Sequence, residues 1–203
     1  MGEAAQRADE AEGCLRRPMR GIIFWGVVAS LLIYDLLLIF SIARPQRRFW
    51  PPPDRPSWRR EVMRVAGVLG PLSIVGVLLL GALDWNSFIW RHWTRFVVGG
   101  VLFVSGGVFA LWGFFGLGVR ASQGLGGPLL ASGAYRYSRN PQYVGTVGGL
   151  FGYGLVCNSM LTLIAWALWS SWYLMAPFAE EPWLRERLGG PYTEYSSRVR
   201  RFI

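Results

Sequence analysis

The chain has 203 residues, a formal net charge of +9, and 52% hydrophobic and 15% aromatic content. Several uncharged runs approach the roughly 20 residues that a helix needs to cross a bilayer, which excludes an ordinary soluble domain. All 21 cationic residues are Arg, and they lie between the apolar runs, which favours anionic lipid headgroups rather than nucleic acid as partners.

The apolar runs predict an all-α integral membrane protein with about five transmembrane helices. Residues 1–20 are expected to form a polar, disordered segment, and residues 21–118 to hold the first three transmembrane helices. Residues 119–203 are expected to form one unit with a cofactor-binding loop, a transmembrane hairpin and a tail. The five helices are predicted at 21–43, 62–83, 96–118, 141–157 and 160–179.

Residues 180–203 are charged, with aromatic residues at wide spacing, as is typical of amphipathic helices on a membrane surface. With five helices, the first loop, the third loop and this tail lie on one side of the membrane. Most of the arginines are on that side, so the positive-inside rule predicts a cytoplasmic location for the tail.

Isolated polar residues give little evidence of a site. His92 lies between Trp residues and is interpreted as an interfacial loop residue. Cys14 and Cys157 are isolated in the sequence, so they indicate neither a metal site nor a disulfide framework. Asp35 lies within the first apolar run, where a carboxylate is a candidate functional group, but the sequence indicates no partner for it.

The fourth apolar run carries glycines at small-xxx-small spacing, namely Gly145 with Gly149 and Gly148 with Gly152. Such spacing allows two helices to approach closely. Because only Asn158 and Ser159 separate the fourth run from the fifth, we expect these glycines to pack against the fifth helix.

A first polar motif, Arg139-Asn140-Pro141, precedes the fourth run. Asn is a good N-cap and Pro suits the first helical position, so this motif predicts a helix start at the membrane surface. The free N–H groups there and the Arg139 guanidinium could hold a carboxylate. The alternative is an ordinary positively charged helix flank.

A second polar motif, Glu180-Glu181, ends the fifth run. Carboxylates near hydrocarbon usually face a polar cavity or a partner, although a solvated helix cap is the alternative. The predicted hairpin brings the two motifs to the same side of the membrane. A ligand with both a carboxylate and a cationic centre, such as S-adenosylmethionine, would fit between them.

The two motifs together resemble those of the isoprenylcysteine carboxyl methyltransferases and the wider group that includes phospholipid N-methyltransferases. The resemblance covers roughly residues 131–203. The matching positions are Arg139, Asn140, Pro141, Tyr143, Gly145, Glu180, Glu181, Leu184, Gly189 or Gly190, Tyr192, Tyr195, Val199 and Arg201.

The resemblance implies an S-adenosylmethionine-dependent membrane methyltransferase that needs no metal and acts on a lipidic or prenylated acceptor. It implies that Arg139 holds the methionine carboxylate and that Glu180 and Glu181 hold the amino group or ribose. The implied cofactor-binding residues are Arg139, Asn140, Pro141, Tyr143, Gly145, Glu180, Glu181 and Tyr192, with Arg139 and Glu181 as catalytic residues.

Asn140 departs from the isoprenylcysteine pattern, which has His at this position. Neutral Asn cannot shuttle a proton. The Asn-Pro motif resembles the phospholipid branch, whereas Tyr192 and Tyr195 resemble the carboxyl methyltransferase branch. The expected reaction is carboxyl O-methylation of an isoprenylcysteine-like substrate. Phospholipid or amine N-methylation is the alternative, and a non-catalytic membrane protein is the alternative from another class.

Overall fold

A computed structural model describes the backbone of residues 2–203 and the side chains of residues 16–203, so the Cys14 side chain lies outside the described residues. Residues 2–203 contain helices and no strand, which confirms the all-α prediction. The α-helices are α1 (Gly2–Ala43), α2 (Trp58–Leu83), α3 (Thr94–Leu117), α4 (Val119–Ser122), α5 (Pro141–Cys157), α6 (Met160–Leu188) and α7 (Gly190–Arg198).

Four helices in the described part of the chain are long and apolar enough to cross a membrane: α1 from Arg16, α2, α3 and α6. The fifth predicted transmembrane helix is α5, whose 17 residues lie at the lower end of the roughly 17–25 that span a bilayer. It is packed between α3 and α6. The prediction of an integral membrane protein with about five such helices is consistent with this arrangement.

Two helices extend further than the sequence predicted. The backbone of α1 is already helical at Gly2, so the expected disorder of residues 1–20 is wrong for residues 2–20. The predicted fifth run ended at residue 179, but α6 continues to Leu188 through Pro177 and Pro182. Buried contacts of Glu181 and Trp183 stabilise this extension, which overrides the low helix propensity of proline.

The predicted hairpin between α5 and α6 is present. Asn158 ends α5 in the left-handed conformation, and the Ser159 side chain caps α6 by accepting from the Thr162 N–H. Asp84, at the end of α2, accepts from the Ser159 hydroxyl at 2.9 Å and from the Leu161 N–H at 3.1 Å. These bonds attach the hairpin to α2 at the end opposite the two polar motifs.

The predicted partner of the α5 glycines was wrong, because the glycines face α3 rather than α6. A β-carbon at Gly145 would lie 2.4 Å from the Ala110 nitrogen, and Gly149 and Gly152 also meet the α3 backbone. Gly148 has nothing within 4 Å of such an atom. The short turn does place α6 beside α5, but the glycine spacing itself carries no information about which neighbour it faces.

Helices α1, α2 and α6 form the apolar core, which includes Leu31, Leu38, Val77 and Leu80. Asp35 lies buried between α1 and α6, where its Oδ2 accepts from the Ser171 hydroxyl at 2.7 Å. The partner that the sequence could not indicate is therefore a hydroxyl on α6.

Candidate active site

The hairpin places the two polar motifs next to each other. Arg139, before the first residue of α5, lies with its Nη2 3.1 Å from Glu181 Oε1 on α6. The Arg139 side chain is 11% exposed and that of Glu181 is 4% exposed, so the ion pair is largely withdrawn from water. The residues of the two motifs thus form one site, as the sequence led us to expect.

Glu181 is the centre of a cluster of cations from three parts of the chain. Arg201 binds it with both ends of the guanidinium, with Nε 2.8 Å from Oε1 and Nη2 2.9 Å from Oε2. Arg185, one turn later on α6, lies 3.6 Å from Oε2. The hydrogen bonds to Glu181 raise the pKa of the Arg201 guanidinium. We call Arg139, Glu181, Arg185 and Arg201 the Glu181 cluster.

The chain end that carries Arg201 is bound to the start of α5. The Arg139 N–H donates to the Arg200 carbonyl at 3.0 Å, and the Asn140 side-chain amide donates to the Arg201 carbonyl at 2.9 Å. Asn140 does occupy the N-cap position, but its side chain makes no capping hydrogen bond. The predicted capping role of its side chain is therefore wrong, because the side-chain amide donates to the Arg201 carbonyl in the C-terminal segment instead.

Glu180 has a different environment from its neighbour. Its Oε1 accepts from the Trp50 indole N–H at 2.6 Å and from the Tyr143 hydroxyl. Trp50 lies in the loop between α1 and α2, and the Ser41 hydroxyl accepts from its backbone N–H at 3.0 Å. Sequence reasoning missed Trp50, because nothing in a proline-rich loop indicates that it folds over residue 180.

A polar cavity of about 120 Å³ lies between these groups. Its lining includes Arg139, Asn140, Glu180, Glu181, Trp50, Gln142, Tyr135, Tyr143, Tyr192 and Tyr195, together with the glycine-rich segment 124–130. Burial raises the pKa of Tyr192 to about 12, with a further contribution from the Glu181 charge. The Tyr192 phenol therefore stays protonated and can act as a hydrogen-bond donor at neutral pH.

A second, larger cavity of about 800 Å³ adjoins the polar one. It lies among α2, α3, α5 and α6, and its lining is mainly apolar and aromatic, with Phe114, Trp169, Trp172 and Tyr173 on its walls. We call it the apolar cavity. Both cavities are lined by Trp50, Ser122, Gln142 and Tyr143. These four residues therefore form the boundary between a polar site and an apolar one.

Six of the eight residues expected to bind the cofactor line the polar cavity: Arg139, Asn140, Tyr143, Glu180, Glu181 and Tyr192. The other two, Pro141 and Gly145, pack against Gly113 and Ala110 of α3. Within the described residues, no group of His, Cys, Asp or Glu is arranged to hold a metal ion, and His92 is exposed beside Thr94.

The family model of the phospholipid methyltransferases matches residues 94–190. Over these residues the chain is similar to that family. The match runs from α3 to the end of α6, so it includes Arg139 and both glutamates. It supports the predicted resemblance and a role as a membrane methyltransferase, while Trp50 and Arg201 lie outside it. No curated protein and no solved structure matches the chain.

Proposed function

We propose that the protein is an S-adenosylmethionine-dependent methyltransferase that acts on a lipidic acceptor. One observation carries the proposal: a polar cavity with paired charges shares a boundary with a much larger apolar cavity. A methyltransferase for lipids needs both, because its donor is water-soluble and its acceptor comes from the bilayer. A packing or transporter subunit would need neither a charged cluster nor an adjoining apolar cavity.

The polar residues fit the amino-acid end of S-adenosylmethionine. Arg139 Nε is buried and has no partner among the described residues, so it can donate to a carboxylate. Glu180 offers a carboxylate to an amino group, and Tyr192 adds a hydroxyl donor. The cavity is smaller than the roughly 300–1,000 Å³ of typical ligand pockets, so it suits this end of the molecule. The rest of S-adenosylmethionine would extend toward the boundary between the polar cavity and the apolar cavity.

S-adenosylmethionine supplies an activated methyl group on a sulfonium, so the protein needs mainly to position the reactants. Arg139 would bind the carboxylate of the donor, and Tyr143 would bound the site beside Glu180. The resemblance implies that Glu181 is catalytic, but three arginines hold its carboxylate. We therefore propose that Glu181 positions Arg139, and that Glu180 accepts the proton that an amine acceptor must lose.

The family match and Asn140 favour an amine acceptor on a phospholipid, and we propose N-methylation of such an amine as the reaction. Carboxyl O-methylation of an isoprenylcysteine-like substrate is the second candidate. It is supported by Tyr192 and Tyr195, which match the carboxyl methyltransferase pattern and are buried at the polar cavity. Because most arginines lie on this side of the membrane, we propose that the site faces the cytoplasm.

The test has two parts. Calorimetry on the protein in neutral detergent should show binding of S-adenosylmethionine, and Arg139→Gln should abolish it. Arg136→Gln is the matched control, because Arg136 is an exposed arginine of the same segment that lines neither cavity. Labelled methyl transfer to phosphatidylethanolamine and to a prenylated cysteine then identifies the acceptor. Absence of binding at millimolar donor, or of transfer to any lipid, would contradict the proposal.

A further inference from the structure

The charges of the apolar cavity are confined to one part of its wall. Among the described side chains that line it, only two are charged, and both are cations: Arg60 and Arg64. They lie one turn apart on α2, so they occupy the same face of that helix. The remaining lining of α2 is apolar as far as Ile74. The cavity therefore has a cationic end and an apolar body.

The dimensions of the apolar cavity suit a lipid. From Arg60 to Ile74 the lining follows α2 for 14 residues, which corresponds to about 21 Å along the helix axis. Tyr34 and Trp169 line the same cavity as Ile74, whereas Trp50 and Tyr143 lie at the boundary with the polar cavity. A molecule with a long hydrocarbon portion and a charged headgroup could occupy this length.

Neither arginine is held by a buried carboxylate. Arg60 donates through Nη1 to the backbone carbonyl of Asp54 at 2.7 Å. Arg64 lies 2.7 Å from Glu61, but both side chains are more than half exposed, and exposed pairs of this kind contribute only about 0–1 kcal/mol. A ligand anion can therefore compete for both guanidinium groups.

We propose that Arg60 and Arg64 are specificity-determining residues that bind the phosphate of the acceptor lipid. This inference rests on the proposed methyl transfer and names the substrate class. The methylated group must reach the polar cavity, which Glu180, Glu181 and Arg139 line. An anion held by Arg60 and Arg64 must then be a second group on the same molecule. A phospholipid amine has both an amine and a phosphate, whereas a prenylated cysteine has only the carboxylate that would be methylated.

The test compares two acceptors in mixed micelles of a neutral detergent. One is phosphatidylethanolamine, and the other is a diacyl amine of similar length in which a neutral linker replaces the phosphate. With the wild-type protein, the KM for the phosphate-free amine should be roughly tenfold higher, as expected for a lost hydrogen bond to a charged group. In Arg60→Gln, and more fully in R60Q/R64Q, the ratio of the two KM values should fall to about one.

Arg55→Gln is the matched control, because Arg55 is an exposed arginine of the loop that precedes α2 and lines neither cavity, and it should keep the wild-type ratio. Equal KM values for the two acceptors in the wild-type protein would overturn the assignment of Arg60 and Arg64. So would variants that raise both KM values by the same factor. Transfer to the phosphate-free amine in either case leaves the proposed methyl transfer intact, whereas failure of the wild-type protein with both lipids contradicts both proposals.

Discussion

The two adjacent glutamates should differ in how the same conservative change affects stability. Glu181→Gln removes the charge that binds Arg139, Arg185 and Arg201, and it should reduce stability and donor binding together. Glu180→Gln leaves an oxygen that can still accept from Trp50, so the fold should persist while methyl transfer to an amine is lost.

The magnitude follows from burial. Removing one partner of a buried ion pair costs about 3–5 kcal/mol because the remaining charge is uncompensated. We expect a loss near the lower end for Glu181→Gln, about 3 kcal/mol, because the Arg185 and Arg201 side chains are 52% and 31% exposed and stay partly hydrated. For a chain of this length, that loss corresponds to a fall in Tm of about 6–12 °C. For Glu180→Gln we expect a change below about 1.5 kcal/mol.

Thermal unfolding in detergent, calorimetry with S-adenosylmethionine and labelled methyl transfer measure the three quantities separately. A double-mutant cycle of Glu181→Gln with Arg201→Gln should give a coupling energy above about 1 kcal/mol, since the two side chains share two hydrogen bonds. Equal losses of stability for the two glutamate variants would refute the assigned difference. Full amine methylation by Glu180→Gln would refute its role as a base.

Four further substitutions test other parts of the structure. Gly145→Ala should destabilise the protein by about 1–3 kcal/mol, because the added β-carbon would clash with the α3 backbone. Gly148→Ala has open space around the added β-carbon, so it should be neutral or stabilising by up to about 1 kcal/mol. Thermal unfolding measures both changes. Trp50→Phe should lower kcat with little change in Tm, because Glu180 loses a donor but the ring remains. Asn140→Ala should raise the rate of proteolysis at the C-terminal segment, and an unchanged rate would contradict its attachment through the Arg201 carbonyl.

Local patterns in the sequence were sufficient to predict the helices and to place the two motifs close together. The length of each apolar run determines a transmembrane helix, and the two residues between α5 and α6 allow only a hairpin. Arg139 and Glu181 therefore had to lie at the same end of that hairpin. The direct ion pair, with 3.1 Å between the two side chains, was not predicted, because we expected a ligand between the two motifs.

The contacts that sequence analysis missed join different segments of the chain. Trp50 contacts Glu180 across 130 positions, and Arg201, although it matches the family pattern, gave no indication that it contacts Glu181 across 20 positions. The glycine face of α5 was assigned to the wrong neighbour for a related reason. A small-residue pattern shows that a helix packs closely, but the choice between α3 and α6 depends on the arrangement of the whole bundle.

The different roles of Glu180 and Glu181 follow from helix geometry. Successive residues on an α-helix point about 100° apart, so two adjacent carboxylates cannot face the same neighbours. On α6, Glu180 faces Trp50 of the first loop and Tyr143, whereas Glu181 faces Arg139 and the C-terminal segment. Glu181 is therefore surrounded by cations. The donors to Glu180 are neutral, which is why we propose Glu180 rather than Glu181 as the carboxylate that accepts a proton from an amine acceptor.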